Sequence, residues 1–339
     1  MPSEFALIER HFKRPARHSV LGVGDDAAIV RPAPGMEIVV TTDMLVAGTH
    51  FLPDADPADL GWKTLAVNLS DLAAMGALPR WALLSLALPA DKAADEAWLA
   101  AYAEGFFACA DTFAVDLIGG DTTRGPLAFN VTLFGEIPAG QALLRSAARP
   151  ADEIWISGTL GLATLGLAQR QARCRLMEPL RSACLRALDR PQPRIALGRA
   201  LAQDGLAHAA IDVSDGLLAD LGHILERSQA TATLHFDRLP AAVLYCGNDV
   251  DARLATDCLL GGGDDYELAF TAPAARHEDI LALGARLQIP LTCIGTVAAG
   301  PAGRIHLLDA DGREMSPARR GYDHFAPATA DTDTAEKKT

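Results

Sequence analysis

Apolar runs in this chain are short and keep being interrupted. None approaches the ~20 residues that a bilayer-crossing helix needs, and the longest, Trp81 to Ala87, has the length of a buried strand. Such runs alternate with helix-period stretches, so the chain must fold as strands covered by helices, and it does so twice over. Residues 1–148 read Glu37–Thr42, Trp81–Leu88 and Val115–Ile118 as strands, then Leu127, Phe129, Val131 and Leu133 as a period-two, half-buried strand. Ala148-Arg-Pro-Ala-Asp152 is a polar, Pro-containing link. Beyond it, residues 149–325 read Glu153–Ser157, Ala209–Val213, Tyr266–Thr271, Leu291–Val297 and Arg304–Leu308 as strands. The 339 residues suit two domains at ~150 each. Residues 326–339 are small and polar without periodicity, and are expected to form a disordered tail.

Charge excludes one class of partner. With 43 Asp+Glu against 30 Lys+Arg, the formal charge is −13, and no basic block is present to neutralise nucleic-acid phosphates. The N-terminus lacks a basic segment followed by an apolar one, so no signal peptide is expected. Six cysteines without a C-x-x-C pair read as reduced thiols of a cytoplasmic protein. Nine histidines show no zinc-binding spacing.

The informative residues are aspartates embedded in Gly, Ser and Thr. Gly22-Val-Gly-Asp25-Asp26 puts two carboxylates in a Gly-flanked turn, where they repel unless cations or N–H donors compensate; a solvated turn is the plain alternative. Val39-Val-Thr-Thr-Asp43 reads as a strand delivering Thr41, Thr42 and Asp43 at its C-terminal end. Asp59–Gly76 reads as a helix with Leu65, Leu69, Leu72 and Met75 as its core stripe and Gly76 as its stop. Thr64, Asn68 and Asp71 fall on another face, either a site wall or an exposed stripe. Gly119-Gly120-Asp121 follows an apolar run, and glycines let backbone N–H groups approach a phosphate. No Walker A pattern occurs. Ala210-Ile-Asp212-Val-Ser214-Asp215-Gly leads into a helix that Ser214 or Asp215 could simply cap. Gly261-Gly-Gly-Asp264-Asp265-Tyr-Glu267 is a flexible loop with three carboxylates. The two Ser-Asp segments and the two Gly-Gly-Asp segments recur in the same order in both halves, a faint sign of duplication. Carboxylates and hydroxyls without Cys or His suit several Mg²⁺ ions, and those suit polyphosphate chemistry.

Together, Gly24-Asp-Asp26, Thr41-Thr-Asp43, His50-Phe-Leu-Pro, Asn68-Leu-Ser-Asp71-Leu-Ala-Ala-Met-Gly76, Gly119-Gly-Asp121-Thr-Thr-Arg-Gly, Asp212-Val-Ser-Asp215-Gly and Gly262-Gly-Asp-Asp-Tyr-Glu267 resemble the thiamine-monophosphate kinase family, over residues 3–325. This family lies within the aminoimidazole ribonucleotide synthetase-like superfamily. The resemblance implies a two-domain α+β fold whose N-terminal sheet forms a dimer barrel, with a C-terminal α/β domain. It implies Mg²⁺-dependent phosphoryl transfer from ATP to thiamine monophosphate, by a homodimer. By position, Asp26, Thr41, Thr42, Asp43, Asp71, Asp121, Asp212 and Asp215 would hold Mg²⁺, with Asp43, Asp71 and Asp121 central to catalysis. Tyr102, Gly120, Asp121, Arg145 and Ser214 would contact the nucleotide; His50, Asp264 and Tyr322 would bind the thiamine phosphate. Relatives often carry Glu where this chain has Asp264, which keeps the carboxylate and shortens its reach. The alternatives are another ATP-dependent member of the superfamily and a non-catalytic Mg²⁺- or nucleotide-binding protein.

Overall fold

A computed structural model describes residues 4–241, 250–322 and 325; the expected tail at 326–339 and Cys246 lie outside them. The first sheet comes from β1 (Met36–Val46), β2 (Leu78–Leu88), β3 (Asp116–Arg124) and β4 (Ala128–Pro138), in the order β1-β4-β2-β3. Only β2 and β3 run parallel. Helices α1 (Glu4–His11), α2 (Pro57–Met75), α3 (Ala90–Ala94) and α4 (Glu96–Thr112) complete this unit.

Two strands outrun their apolar runs. β1 continues through Thr41-Thr-Asp43 to Val46, so Asp43 pairs with Val131 inside the ladder rather than ending a strand. β3 likewise continues through Gly119-Gly-Asp121. Its backbone crosses β2 so closely that a Cβ on Gly120, at φ +149, would lie 1.8 Å from the Leu84 carbonyl oxygen. Those glycines therefore serve strand pairing in place of an open loop.

Helix α2 occupies the centre of the molecule. Asp56 caps it by accepting the N–H groups of Ala58 and Asp59 at 2.9 and 3.1 Å, Pro57 opens it, and left-handed Gly76 ends it at φ 77. Leu65, Leu69 and Leu72 are fully buried as the periodicity predicts, but so are Thr64 and Asn68. The polar stripe is hidden because α2 is enclosed by β1, α4, α7 and the second sheet. Contact with α4 is backbone to backbone. A Cβ on Gly61 would lie 2.0 Å from the Tyr102 carbonyl oxygen, and one on Gly105 would lie 1.8 Å from that of Ala58.

The second sheet runs β10-β7-β9-β5-β8-β6. Its strands are β5 (Asp152–Ser157), β6 (Ala209–Asp212), β7 (Thr231–His235), β8 (Leu268–Pro273), β9 (Leu291–Ala298) and β10 (Arg304–Leu308). The sequence reading missed β7, whose apolar content is only Ala232 and Leu234. It began β8 two residues early, because Tyr266 sits at φ 51 and cannot join the ladder. The described helices here are α5 (Leu162–Arg170), α6 (Leu180–Asp189), α7 (Ile195–Gln203), α8 (Leu217–Arg227), α9 (Ala252–Gly261) and α10 (His277–Leu287). Alternation along β5 and β8 sends Trp155, Leu268 and Phe270 to one side, where they join the core built on α2 and α7. Ile154, Ile156 and Ala269 pack on the other side with Leu217, Leu221 and Leu259. One core thus runs from the first sheet into the second. Because neither backbone can yield, Gly105→Ala is expected to cost about 3 kcal/mol, as overpacking at a rigid contact does. Urea denaturation reads this directly; a loss within error would show that the two helices can part.

Candidate functional site

Strand alternation divides the polar residues of β1. Thr41 and Asp43 face inward to α2, whereas Thr42 faces outward, donating to the Val131 carbonyl at 3.0 Å and accepting from Asn130 Nδ2 at 3.1 Å. The expectation that both threonines join one metal set therefore fails for the Thr42 side chain. Thr41 Oγ1 donates a short hydrogen bond to Asp71 Oδ2, and Asn68 Oδ1 accepts the Asp43 backbone N–H at 3.0 Å. Thr64 turns its hydroxyl back to the Leu60 carbonyl. Of the helix stripe, only Asp71 emerges as a site group. Asp212 ends β6 beside α2 and is 3% exposed.

A cavity of about 470 Å³ collects Asp43, Asp71, Asp212 and Asp215 with His50 and Asp264. Ser214 and Tyr322 also line it. Burial, and then the Asp71 charge, push the Asp43 carboxyl up to about 7. Burial also raises Asp71, against the opposing Thr41 hydrogen bond and the Arg145 charge. Asp212 is raised well above the usual range, first by burial and then by Asp71. Arg145 is exposed but lies near enough to act on Asp71.

Other expected residues stand elsewhere. Asp26, Gly120 and Asp121 line a separate opening of about 1140 Å³. In register, the row of Asp43 reads Val131, Leu84 and Gly120, which puts β1 and β3 three strand spacings apart, ~14 Å. Asp121 belongs to the next row with Ser85, Asn130 and outward-facing Met44, so it lies on the opposite face from Asp43. Tyr102 is corrected outright. Its ring is fully buried, stacked 4.7 Å from Phe129 and 5.6 Å from Trp98, and no face is open to a nucleotide.

The glycine-rich second-half loops divide their acids between ligand-facing and structural uses. Neither Ser214 nor Asp215 caps α8, whose N-cap is Gly216; instead the Asp220 carboxylate accepts three backbone N–H groups there. Asp265 turns away to accept the Gly161 N–H at 2.6 Å, and Glu267 pairs with Arg194 and with Ser157 Oγ at 2.5 Å. Only Asp264 of that trio faces the cavity. It is held by Lys63 Nζ at 2.9 Å and by Tyr266 Oη at 3.0 Å. Lys63 is 4% exposed and escaped the sequence reading, although a lysine amid the apolar residues of α2 was its signal. His50 Nδ1 accepts the Val46 N–H at 3.1 Å. Asp116 was also missed. It gathers the N–H groups of Arg17, His18 and Ser19 at 2.8, 2.6 and 3.1 Å and so anchors the segment leading to Asp26.

The donor set fits a hard cation. Crowded, half- to fully buried carboxylates with raised protonation equilibria favour added positive charge; Arg145 acts on Asp71, Lys63 is already paired with Asp264, and Arg173 and Arg319 line the cavity. No three His, Cys, Asp or Glu side chains among the described residues close into a ready metal cage. That matches Mg²⁺, which takes one or two carboxylates and fills its remaining positions with water and substrate phosphate.

Comparison with known proteins agrees with this layout. Residues 24–137 match the AIR synthase related protein N-terminal domain, and residues 149–307 match the corresponding C-terminal domain. The chain is thus an AIR synthase related protein. A thiamine-monophosphate kinase of Salmonella typhimurium is 46% identical over 329 residues, covering 95% of this chain and 98% of that protein. The crystal structure of a thiamine-monophosphate kinase from Stenotrophomonas maltophilia, also 46% identical, superposes with a TM-score of 0.79 over 91% of this chain and 95% of that one. AaThiL complexed with AMPPCP and TMP superposes at 0.73, with 31% identity over 89% and 92% of the respective chains. Within the wider group, the chain belongs to the thiamine-monophosphate kinase family.

Repulsion at the cavity yields a test. In metal-free protein, Asp71→Asn removes one buried charge while keeping an acceptor for Thr41. The melting temperature should rise by about 2–4 °C, equivalent to ~1 kcal/mol in a chain of this size, while Mg²⁺-dependent turnover falls at least a hundredfold. A lower melting temperature in the chelated variant would refute the account.

Proposed function

We propose that this chain transfers the γ-phosphoryl group of ATP to thiamine monophosphate, giving thiamine diphosphate. The observation that carries the reading is the joining of Asp43, Asp71 and Asp212 with His50 and Asp264 in one cavity, in a chain of this family. Asp43, Asp71, Asp212 and Asp215, with Thr41 behind Asp71, would hold Mg²⁺ at one end, and Asp26 and Asp121 would hold it at the other. Bound there, Mg²⁺ neutralises phosphate charge. Gly120, Asp121, Ser214 and Arg145 are assigned to the nucleotide; His50, Asp264 and Tyr322 to thiamine monophosphate.

The acceptor phosphate oxygen is already ionised at pH 7, so the residues orient it and need not deprotonate it. His50 fits that task. Its Nδ1 accepts the Val46 N–H, which leaves the ring proton on Nε2 as a donor for a phosphate oxygen. Transfer is direct and in line, with no phospho-enzyme. ATP with a chiral γ-phosphate should give inverted product, and retention would refute this. The primary assay is ADP release with and without thiamine monophosphate; ADP formation indifferent to it would defeat the reading. ATP as donor, together with free thiols at the described cysteines, suits a cytoplasmic location.

The functional unit is a homodimer built on the first sheet, with residues 1–148 as the dimerising, nucleotide-binding unit and 149–325 as its partner domain. Two observations support this. The outward face exposes Val40 at 54% and Met44 at 56%, and β1 and β3 are both open edges. A second copy whose β3 edge meets this chain's β1 edge would also bring its Asp26 and Asp121 beside the strand that carries Asp43. Mixed dimers of Asp71→Asn and Asp121→Asn chains should then regain one intact site and about half the wild-type rate. Mixed dimers as inactive as either parent would place the whole site in one chain.

A further inference from the structure

One turn, Asp212 to Gly216, touches both the loop that carries Asp264 and the segment that carries Tyr322. Asp212, Ser214 and Asp215 line the main cavity. On its other side, the turn's carbonyls accept three N–H groups: Val213 from Tyr266, Ser214 from Asp264, and Asp215 from Tyr322, each at 2.9 Å. The turn and the glycine loop meet backbone to backbone. A Cβ on Gly263 would lie 2.3 Å from the Ser214 carbonyl oxygen, and one on Gly216 would lie 2.8 Å from the Gly261 carbonyl carbon. Any tilt of one is therefore passed to the other.

What sets the tilt is Asp220. Its Oδ2 accepts the N–H groups of Ser214, Asp215 and Gly216, each at 3.0 Å. A peptide unit is planar, with its N–H and C=O opposed. The three N–H groups held by Asp220 therefore belong to the same three peptide units whose carbonyls hold Tyr266, Asp264 and Tyr322. The carboxylate is 3% exposed and stands outside the cavity wall, one turn into α8.

We propose that Asp220 is the positioning residue of the site. Through three peptide planes it aims Ser214 and Asp215 at the nucleotide end and fixes the segments carrying Asp264 and Tyr322, without touching a ligand. This rests on the kinase reading above. The test compares Asp220→Ala with Asp220→Asn, which keeps an acceptor oxygen and loses the charge. Both are studied at a temperature where circular dichroism shows them folded. In Asp220→Ala, calorimetric affinity for AMPPCP with Mg²⁺ should fall about tenfold or more, and the KM for thiamine monophosphate should rise by a similar factor. Asp220→Asn should fall between, near threefold. A folded Asp220→Ala with a lower melting temperature but wild-type affinity and KM would overturn the proposal. Should the alanine variant fail to fold, unchanged AMPPCP affinity in Asp220→Asn overturns it equally. Wild-type protein that binds AMPPCP yet does not phosphorylate thiamine monophosphate would instead defeat the kinase reading, and the binding comparison would still judge Asp220.

Discussion

Everything at the site depends on holding like charges together against their repulsion. Asp43, Asp71 and Asp212 come from a strand, a helix and a second sheet; burial raises all three carboxyls, and the Asp71 charge raises Asp43 and Asp212 further. The force that keeps them there is apolar. Leu65, Leu69 and Leu72 of α2 are completely buried, and glycines at its crossing with α4 let the backbones touch. Asp71 is thereby pinned to an element that cannot retreat. Asn68 does the same for β1, taking the Asp43 N–H from a fully buried position on the same helix. A rigid frame of this kind keeps the carboxylates preorganised before any cation arrives, and preorganisation is where electrostatic catalysis gains its effect.

Much of this was legible in the sequence, within identifiable limits. Gly76 announces the end of α2 and its leucine period gives the buried face, whereas the helix starts at Pro57, capped by Asp56, two residues ahead of the Asp59 read from the sequence. The strands show as apolar runs, but their ends do not. Ladder hydrogen bonds carry β1 through Thr41-Thr-Asp43 and β3 through Gly119-Gly-Asp121 although neither segment is apolar. Missing those extensions hid a consequence, since alternation then separates Thr42 from Thr41 and Asp121 from Asp43 by face. Tyr102 illustrates the opposite error: an aromatic residue in an Ala-rich helix was placed at the nucleotide on resemblance, whereas its neighbours Trp98 and Phe129 make it core. Lys63 and Asp220 carry no motif of their own; their roles appear only when distant segments meet.

The acidic excess now separates into two uses. Some carboxylates face open cavities and await cations. Others never meet a ligand and instead gather successive backbone N–H groups: Asp116 at residues 17–19, Asp220 at 214–216, Asp265 at Gly161, and Asp56 at the start of α2. An ionised carboxylate is a strong acceptor for such donors. It can fix a turn that has too few apolar side chains to pack, which describes both the segment before Asp26 and the turn after Asp212. Not every acid in a Gly-rich loop is therefore a site group: Asp265 and Glu267, which flank the loop of Asp264, serve the fold.

The distribution of the remaining acids follows the same electrostatics. Asp121 sits on the opposite face from Asp43, on a strand ~14 Å away at the other edge of the sheet, and Asp26 lines the same opening as Asp121. Placing them in the main cavity of a single chain would add charge to a cluster in which neighbouring carboxylates already raise Asp43 and Asp212. Keeping them at opposite edges lets each chain fold with its acids dispersed. In the proposed shared-site dimer, the two sets meet where the strand edges pair, while Val40, Met44 and their apolar neighbours supply the buried face. The cost of bringing them together is then met by burial of an apolar face, with bound cations offsetting what remains. On that reading the open edge of β1 and the divided acidic clusters are one feature, because the same strand that lacks a neighbour also lacks half of its ligands.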